Sequence, residues 1–437
     1  MNLDEKVKTA LDEAWHRGSA ESSLERWLEI SVREGWDDFS DRLPLFVSVF
    51  GASWYFTRFV FYLGKDVITL VDDAASLRHD LHTMLDRLAG IDPVAEPEQQ
   101  LEQLRFLKNG VMLQILVQFL TGAASQRQVE RALTCLADAT LAKMLEIFDL
   151  SGDSSQYRLA VLGMGRMAGY EMTFGSDLDL IFLYEDLSGD QGYALSRKIR
   201  LLLRHLATAS SAGNLYDIDM RLRPHGTSGA LLTTVESFLQ HHMADREIWE
   251  RQVMTRCRPI IDQGELGTTT LDAIRPCIYR DYDTASLKSE ILGMRARVER
   301  EKGREKGKYN LKQGRGGLMD IDFISHYFQL ANGVSIPELQ TGSTRRALEL
   351  LGQHGLISGE ASRDLLHAYD FLKQTEAAMR LFDMKSTSSI PQQAQANQSQ
   401  AQALGFGTDV KGFMKHFQAI TDNVRHCFTE LLGEMPK

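Results

Sequence analysis

Residues 175–184 read GSDLDLIFLY, and this stretch decides how the centre of the chain folds. From Asp177 to Tyr184 the sequence first alternates Asp with Leu and then becomes fully apolar. This pattern predicts a strand that is buried beyond its first turn. Because alternate side chains of a strand point to one face, Asp177 and Asp179 are expected to project together. They stand at the start of the strand, where a loop can admit solvent and ligand.

Two further strands are predicted in the same part of the chain. Tyr157–Leu162 is a short apolar run bounded by turn residues, which is typical of a strand. Asn214–Arg223 alternates between two faces, and Tyr193–Ala209 before it has the pattern of a basic, leucine-rich helix. One face of the Asn214–Arg223 strand would carry Leu215, Asp217, Asp219, Arg221 and Arg223. We therefore predict a strand-rich domain over residues 151–285.

The sequences on either side of this domain predict helices. Within residues 1–150 and within residues 286–437, apolar residues recur three and four positions apart, as on one face of a helix. Leu43–Leu63 is the most apolar stretch, but Arg58 interrupts it, so it predicts a buried helix rather than a membrane span. Ser386–Ala403 is rich in Gln, Ser and Ala and predicts a flexible surface connection. The expected fold is α+β and mostly helical, with the sheet between an N-terminal helical region and a C-terminal helical bundle.

The composition excludes several classes of protein. The 437 residues are 43% hydrophobic and 25% charged, with a formal net charge of −10. These values are typical of a globular chain and exclude a wholly disordered or collagenous one. A chain this acidic is not expected to coat nucleic acid through a general basic surface. The four cysteines lack metal-binding spacing and the N-terminus lacks a signal peptide's apolar core, so we expect a cytoplasmic protein without a membrane partner.

The strongest chemical signal is the group of Asp177, Asp179 and Asp219. Asp219 lies on a strand that could pair beside the first, which would add a third carboxylate. Clustered carboxylates repel one another unless cations lie between them, and oxygen-rich sites of this kind suit Mg²⁺. Two such ions about 3.5–4 Å apart can clamp the attacking and leaving oxygens of an in-line phosphoryl displacement. The alternative is an ordinary strand end with two solvated Asp residues.

Residues just before this strand are candidates for phosphate binding. Gly175 would let the backbone approach a phosphate, and Ser176 could donate its hydroxyl and N–H; the alternative is an ordinary turn. Residues 163–169 match G-x-G-x-x-A, a dinucleotide-binding fingerprint. We reject that interpretation because the next strand begins about eight residues later, too few for the helix of a βαβ unit. Arg166 is then either a cation beside the phosphates or a surface residue.

Further cations follow in two places. Arg221 and Arg223 share a face with Asp219, so they could pair with the carboxylates or hold nucleotide phosphates bidentately. Residues 312–323, KQGRGGLMDIDF, form a basic, Gly-rich loop that runs into a helix opening with two acids. Acids in a first helical turn are often only complements of the helix dipole. Lys312 and the glycine-rich backbone could instead face a phosphate or a protein substrate.

Four blocks of sequence carry a family resemblance. They read LAVLGMGRMAGYEMTFGSDLDLIFLYED, LYDIDMRLRPHGTSG, WERQ and KQGRGGLMDIDF, and they occupy about residues 160–330. In this order and spacing they resemble glutamine synthetase adenylyltransferase (glutamate–ammonia-ligase adenylyltransferase), of the DNA polymerase β type of nucleotidyltransferase. The resemblance implies a DNA polymerase β-like sheet, ATP as substrate and two Mg²⁺ held by Asp177, Asp179 and Asp219. It also implies glutamine synthetase as the protein substrate, with a PII-type signalling protein as a further candidate partner.

The resemblance also bears on the direction of the reaction. The usual family member is one long chain with two homologous halves, of which one adenylylates glutamine synthetase on a Tyr and the other removes the AMP by phosphorolysis. This chain is about one half. Residues 249–252, 294–301 and 317–322 look more like the adenylylating half, whereas the removing half tends to carry Arg-Glu-Ile-Glu at 319–322. The departures are a short N-terminus, Arg-Met-Ala at 166–168 and Asp322 in place of Glu. The alternatives are AMP removal and a non-catalytic module that binds glutamine synthetase.

Overall fold

The structure is a computed structural model that describes residues 4–36, 39–151, 155–189, 191–224, 226–244 and 246–436. Helices make up the N-terminal part, as the apolar spacing predicts. They are α1 (Glu5–Asp12), α2 (Arg17–Glu34), α3 (Leu43–Ala52), α4 (Trp54–Leu63), α5 (Val67–Asp72), α6 (Leu81–Arg87), α7 (Pro97–Leu120) and α8 (Gln126–Ile147). The predicted helix over Leu43–Leu63 is thus two helices. They separate at Ser53, whose extended backbone ends α3 and whose hydroxyl accepts from the Phe56 N–H at the start of α4.

The central part alternates strands and helices, and the C-terminal part is again mainly helical. The central elements are β1 (Tyr157–Met164), α9 (Gly165–Ala168), β2 (Leu178–Asp186), α10 (Gly192–Ala207), β3 (Ile218–Asp219), β4 (Leu232–Thr234), α11 (Val235–Met243), α12 (Ile248–Met254), β5 (Cys257–Asp262) and α13 (Leu266–Ile278). The C-terminal elements are α14 (Thr284–Lys302), β6 (Arg304–Glu305), β7 (Lys308–Asn310), α15 (Leu318–Asn332), α16 (Thr344–Gln353), α17 (Gly359–Leu381), β8 (Ser389–Pro391), α18 (Gln398–Ala403) and α19 (Val410–Leu432).

The central sheet is small and mixed, with β2 at its middle. On one side β2 runs antiparallel to β1, which in turn pairs antiparallel with β5. On its other side β2 runs parallel first to β3 and then, further along, to β4. The GSDLDLIFLY stretch therefore forms the inner strand that its apolar run predicts, and its acidic start lies beside β3.

The two faces of this sheet pack into different hydrophobic cores. Side chains that alternate along β1 and β2 separate accordingly, since successive residues of a strand point to opposite faces. Leu159, Val161, Leu180 and Phe182 join the core of the N-terminal helices, whereas Ala160, Leu162, Ile181 and Leu183 join the core of the C-terminal helices. The sheet thus lies between two helical layers. The domain boundaries at 150 and 285 stay predictions.

Two parts of the chain differ from the sequence-based expectation. The predicted strand over Asn214–Arg223 is reduced to Ile218–Asp219, because β4 takes the edge of β2 beyond Asp179 and leaves no further partner. Ser386–Ala403, predicted to be flexible, instead includes β8, which pairs with β7, and α18. Its Asn397 and Ala401 are fully buried, so long-range packing orders a segment whose composition is typical of a loose connection.

Strands β4 and β5 were not predicted. Their few residues alternate too briefly to give a periodic signal. In the described part of the chain, no helix combines the length and apolar character that crossing a membrane requires.

Candidate active site

The three acidic residues singled out from the sequence lie together where β2 begins beside the short parallel strand β3. Asp179 of β2 and Asp219 of β3 are direct register partners, and Asp177 immediately precedes β2. Beside them is an open cleft of about 500 Å³ lined by Asp177, Asp217, Ile218, Asp219, Met220, Arg221, Arg223 and Ser386. The prediction that Asp219 lies on a strand beside Asp179 is confirmed.

The pKa values of Asp179 and Asp219 shift in opposite directions. Burial raises the pKa of Asp179 to about 6; the Lys312 ammonium opposes the rise, and the charges of Asp219 and Asp177 add to it. The pKa of Asp219 is lowered instead, chiefly by its hydrogen bonds with the Arg221 side chain. We call Asp177, Asp179 and Asp219 the acidic edge. Within it Asp219 is paired with Arg221, whereas Asp177 and Asp179 form no ion pair with any described residue.

Three of the predicted cations lie near this edge. Arg221 Nε donates to both carboxylate oxygens of Asp219, at 2.8 and 3.0 Å, while most of the Arg221 side chain stays exposed. Arg223 donates to the carbonyls of Met220 at 2.6 Å and Gly229 at 3.2 Å, so it helps to shape the turn after β3. Lys312 is exposed at the surface, and its ammonium charge interacts with the Asp179 carboxylate. Desolvation by surrounding protein atoms lowers the pKa of the Lys312 ammonium group. His225, between these cations in sequence, lies outside the described residues.

The turn before β2 is tighter than its sequence suggests. Ser176 N–H donates to the Thr173 carbonyl at 3.1 Å, and Ser176 Oγ accepts from the Thr173 N–H at 2.9 Å. The Ser176 N–H is therefore used inside the turn, and only its hydroxyl hydrogen is left for a ligand. Gly175 has a φ of +64°, and a Cβ there would lie 3.0–3.2 Å from the backbone of Met384 and Lys385. Glycine is required at this point by the approach of another segment of the chain.

That segment, residues 384–386, is the part of the site that sequence reasoning missed. Met384 adopts a φ of +52°, which is uncommon for a residue with a side chain. Two residues later, the Ser386 hydroxyl donates to Asp177 Oδ2 at 3.5 Å. Ser386 is 209 residues from Asp177 in sequence and lies in a stretch of low complexity, so no local pattern could have placed it here.

Arg166 lies behind the acidic edge, within a buried ion cluster formed by Arg166, Glu171, Arg256, Asp322 and Tyr369. Its guanidinium donates to Asp322 at 2.8 and 3.1 Å and also contacts Tyr369. Arg256 joins Glu171 at 2.6 Å and Asp322 at 3.1 Å. These internal contacts occupy the guanidinium of Arg166, so the geometry favours a positioning role over contact with phosphates.

The acids of the Gly-rich block point inward rather than to a ligand. Asp320 is fully buried, bonding Arg295 at 2.5 Å and Arg425 at 2.8 Å and accepting from the Gly316 N–H. Gly316, with a φ of +69°, packs so closely on α19 that a Cβ would overlap the Thr421 carbonyl. Gly316 of this loop therefore serves close packing against α19, and Lys312 lies at the start of the loop. Trp249 is exposed on α12, whereas Gln252 of that helix bonds His326 Nδ1 at 3.0 Å.

The acidic edge can be tested for its fit to Mg²⁺. Its donors are carboxylate oxygens with unneutralised charge, which is the ligand chemistry that Mg²⁺ prefers. Within the described residues, however, no three acidic, histidine or cysteine side chains converge closely enough to surround one ion. The Arg221 guanidinium holds the Asp219 carboxylate in this arrangement. The donor set therefore fits, provided that Asp219 exchanges Arg221 for the ion.

Comparison with known proteins gives two family matches. The model for glutamate-ammonia ligase adenylyltransferase matches residues 46–273, a range that holds all three acids of the edge. The model for the GlnD PII-uridylyltransferase matches residues 292–432, which contain the Gly-rich block and the C-terminal helices. The two matches together span the central sheet, the N-terminal helices from α4 onward and most of the C-terminal helices.

Curated relatives agree with the first match. Proteins from Chromobacterium violaceum and Nitrosomonas europaea are 33% identical over 294 residues and 32% identical over 311 residues, covering 66% and 70% of this chain. A protein from Thioalkalivibrio sulfidiphilus is 27% identical over 411 residues, covering 89% of it. Each relative bears the name bifunctional glutamine synthetase adenylyltransferase/adenylyl-removing enzyme. The matched regions are 33%, 33% and 42% of the relatives' own lengths.

The chain spans between about a third and two fifths of the length of these relatives. The family match covers more than half of the 437 residues and holds every acid of the edge. On this match, and on the relatives that agree with it, the chain belongs to the glutamate-ammonia ligase adenylyltransferase family.

Proposed function

We propose that the chain transfers AMP from ATP to a tyrosine hydroxyl of glutamine synthetase, releases pyrophosphate and so regulates nitrogen assimilation. The observation that carries this proposal is the register pair of Asp179 and Asp219, with Asp177 one residue before β2. Three carboxylates on two adjacent parallel strands and the residue before one of them, beside an open cleft, are the arrangement expected of a DNA polymerase β-like nucleotidyltransferase sheet. Four free thiols are consistent with a reducing cytoplasm.

Asp177, Asp179 and Asp219 would together hold two Mg²⁺. Bound there, the metal would lower the pKa of the acceptor hydroxyl and neutralise charge on the leaving pyrophosphate. The chain's own residues would set the geometry of the displacement. Asp177 Oδ2 already accepts a hydrogen bond from the Ser386 hydroxyl, so it can receive the proton of an acceptor hydroxyl at the same point. The bond between the tyrosine oxygen and the α-phosphorus would form as the α–β bridging bond breaks.

The cations around the cleft would orient the phosphates. Arg221 and Arg223 line the cleft, and Lys312 lies beside Asp179. Arg221 can turn from Asp219 to a phosphate, because most of its side chain is exposed and a planar guanidinium binds phosphate oxygens bidentately. Arg315, a further candidate for the pyrophosphate, pairs instead with Asp422 at 2.7 Å. The cations that line the cleft are thus Arg221 and Arg223, and the Lys312 charge acts on Asp179 from outside that lining.

The direction of transfer is proposed from the sequence blocks at 249–252, 294–301 and 317–322, which resemble the adenylylating half. Phosphorolytic removal of AMP would use the same three Asp, since both reactions pass through similar geometry at phosphorus. A PII-type protein is proposed as a regulatory partner because residues 292–432 match the PII-uridylyltransferase model. A non-catalytic module that only binds glutamine synthetase would not need the unneutralised carboxylates of the acidic edge.

Two parallel assays test the proposal. The purified chain is mixed with glutamine synthetase and α-labelled ATP, and separately with adenylylated glutamine synthetase and phosphate. We expect label on the synthetase in the first assay and no ADP at a comparable rate in the second. The Asp219→Asn variant is the control for contaminating activity. ADP release without incorporation of label would reverse the direction, and inactivity in both assays would leave a binding module.

A further inference from the structure

The strand that carries Asp219 is too short to hold this residue in position by itself. β3 is only two residues long, far below the usual length of a strand. The ten residues before it, 208–217, contain no helix or strand apart from one isolated bridge between Ser210 and Gly213. A segment without secondary structure needs partners for its backbone carbonyls. The sheet supplies one partner, because the Leu178 N–H of β2 donates to the Asp217 carbonyl at 2.9 Å. The carbonyls of residues further from β3 need partners outside the sheet.

Helix α7 of the N-terminal region supplies those partners. Arg105 Nη2 donates to the His205 carbonyl at 3.3 Å, Asn109 Nδ2 to the Ala212 carbonyl at 2.5 Å and Lys108 Nζ to the Asn214 carbonyl at 3.5 Å. Residues three and four apart lie on one face of a helix, and all three side chains are buried. We call Arg105, Lys108 and Asn109 the polar edge of α7. It bonds the chain from the end of α10 to within five residues of Asp219.

The fit between the two segments is close. Gly213 has a φ of +98°, and a Cβ there would lie 2.3 Å from Tyr55 Oη and 2.8 Å from Asn109 Nδ2. The Tyr55 hydroxyl in turn donates to Asn109 Oδ1 at 3.0 Å. The backbone of residues 212–214 is thus pressed directly against side chains of α4 and α7. Only glycine fits between the backbone at position 213 and the side chains of Tyr55 and Asn109. Because the contact is this close, a displacement of α7 would also displace residues 212–214.

Burying the Lys108 ammonium group costs desolvation free energy that space filling alone would not require. Its side chain is 2% exposed, its ammonium lies 4.5 Å above the Tyr216 ring, and no carboxylate of the described residues lies within ion-pair distance. Burial lowers the pKa of Lys108 to about 7, against the opposing charge of Asp217. An apolar side chain would pack here without that desolvation cost. Lys108 also lines a small cavity whose other walls include Gly175, Ser176 and Asp217, so it faces the same cavity as both segments that carry the acidic edge.

We infer that the polar edge of α7 positions Asp219 beside Asp179, which makes the N-terminal helical region part of the catalytic unit. Arg105, Lys108 and Asn109 are positioning residues, since they act through residues 205–216 and do not line the cleft. The inference rests on the proposed nucleotidyl transfer for its catalytic meaning. Misplacing a catalytic group by about 1 Å can cost on the order of 100-fold in rate, so the effect is measurable.

The test compares two buried polar positions on the same helix. Lys108→Met removes the charge and the bond to Asn214 but nearly keeps the volume. Gln114→Leu is the matched control, because Gln114 is equally buried but donates to the Leu70 carbonyl, away from the site. We expect Lys108→Met to lower kcat at least about tenfold and to raise the Mg²⁺ concentration for half-maximal rate, without lowering the midpoint of thermal unfolding. Gln114→Leu should leave kcat within about twofold.

Two further measurements separate positioning from general loosening. If Lys108 acts through Asp219, Lys108→Met should reduce the residual rate of the Asp219→Asn variant no further, since the two residues then act as one unit. Hydrogen exchange at the amides of residues 212–219 should quicken in Lys108→Met and not in Gln114→Leu, a readout that needs no activity. Unchanged exchange in Lys108→Met overturns the inference whether or not the chain transfers AMP. Multiplicative rate losses in the double variant, or an equal loss of kcat in Gln114→Leu, overturn it as well.

Discussion

The acidic edge and the buried ion cluster are both rich in carboxylates, and both depend on residues near the ends of β1 and β2, yet their charges are balanced differently. Burial alone would raise the pKa of Asp322, but the guanidiniums of Arg166 and Arg256 outweigh it and lower that pKa to about 2. Burial raises the pKa of Asp179 to about 6, and the carboxylates beside it add to the rise. The carboxylates of the buried ion cluster are neutralised by arginines, whereas burial and neighbouring carboxylates dominate at Asp179.

The difference shows how ionisable residues divide between structure and chemistry. In the buried ion cluster every carboxylate meets an arginine, and Glu171 also accepts from the hydroxyls of Tyr369 at 2.7 Å and Ser343 at 2.9 Å. Such a network joins the end of β1 to α15, α16 and α17, so it holds the sheet on the C-terminal layer. In the acidic edge Asp219 is paired with Arg221, whereas Asp177 and Asp179 form no ion pair with any described residue. The edge also lies on a cleft, which is where a shifted carboxylate indicates function.

The largest expected effect is on the stability of the buried ion cluster. Glu171→Gln should lower the free energy of unfolding by about 3–5 kcal/mol, because it removes one of the two carboxylates that neutralise the buried Arg166 and Arg256. Glu349→Gln is the control: Glu349 forms partly exposed pairs with Arg127 and Arg346, and its loss should cost less than about 1 kcal/mol. Denaturant unfolding of both variants measures the difference. Equal losses would mean that the cluster is no more than a set of surface pairs.

Neutralising a carboxylate of the acidic edge should lower turnover rather than the stability of the fold. Asp177→Asn, Asp179→Asn and Asp219→Asn should each lower turnover more than about a hundredfold while the fold survives, since each removes a charge without changing volume. Incorporation of labelled AMP and thermal unfolding are measured on the same samples. A correctly folded single variant with near-normal AMP transfer would remove its residue from the metal site.

Nucleotide binding should depend on the metal at the acidic edge. Each close carboxylate–phosphate pair opposes binding by about 1 kcal/mol even in water. ATP should therefore bind at least about tenfold more weakly in chelator than in Mg²⁺. Calorimetry under the two conditions measures this, with Asp179→Asn as the variant in which the difference should shrink. Equal affinity of the unmodified chain in both conditions would contradict a two-metal site.

The smallest effect is a contrast in pH dependence between the two regions, measured in chelator. The folded-state pKa of Asp322 lies below its ordinary 3.8, so its contribution to stability should be lost as the pH falls from about 4 to about 2. The pKa of Asp179 is raised, so the folded state binds its proton more readily and stability should increase as the pH falls from about 7 to about 4. The free energy of unfolding of Asp322→Asn should approach that of the unmodified chain as the pH falls from about 4 to about 2. That of Asp179→Asn should approach it as the pH falls from about 7 to about 4. Convergence over the same range would contradict the contrast.

The sequence was sufficient to predict what depends on local patterns. The apolar run of residues 180–184 predicted the inner strand β2, and helical spacing predicted α7, α8, α15, α17 and α19. The alternation around Asp177, Asp179 and Asp219 predicted that the three acids share an edge. Each of these follows from side-chain period along a single element, which a linear sequence records directly.

Only the tertiary structure decided which charged residues are available for chemistry. Arg166 and Asp322 are 156 residues apart in sequence, Lys108 and Asn214 are 106 apart, and Asp177 and Ser386 are 209 apart. No local period relates such residues, because packing of the sheet between two helical layers brings them together. The composition of Arg-Met-Ala at 166–168, or of the Gln-rich stretch at 386–403, does not reveal whether these residues are solvated or buried. The surrounding fold makes Arg166 an internal ion-pair partner of Asp322 and brings Ser386 to the acidic edge, since a buried charge needs compensation and here distant segments supply it.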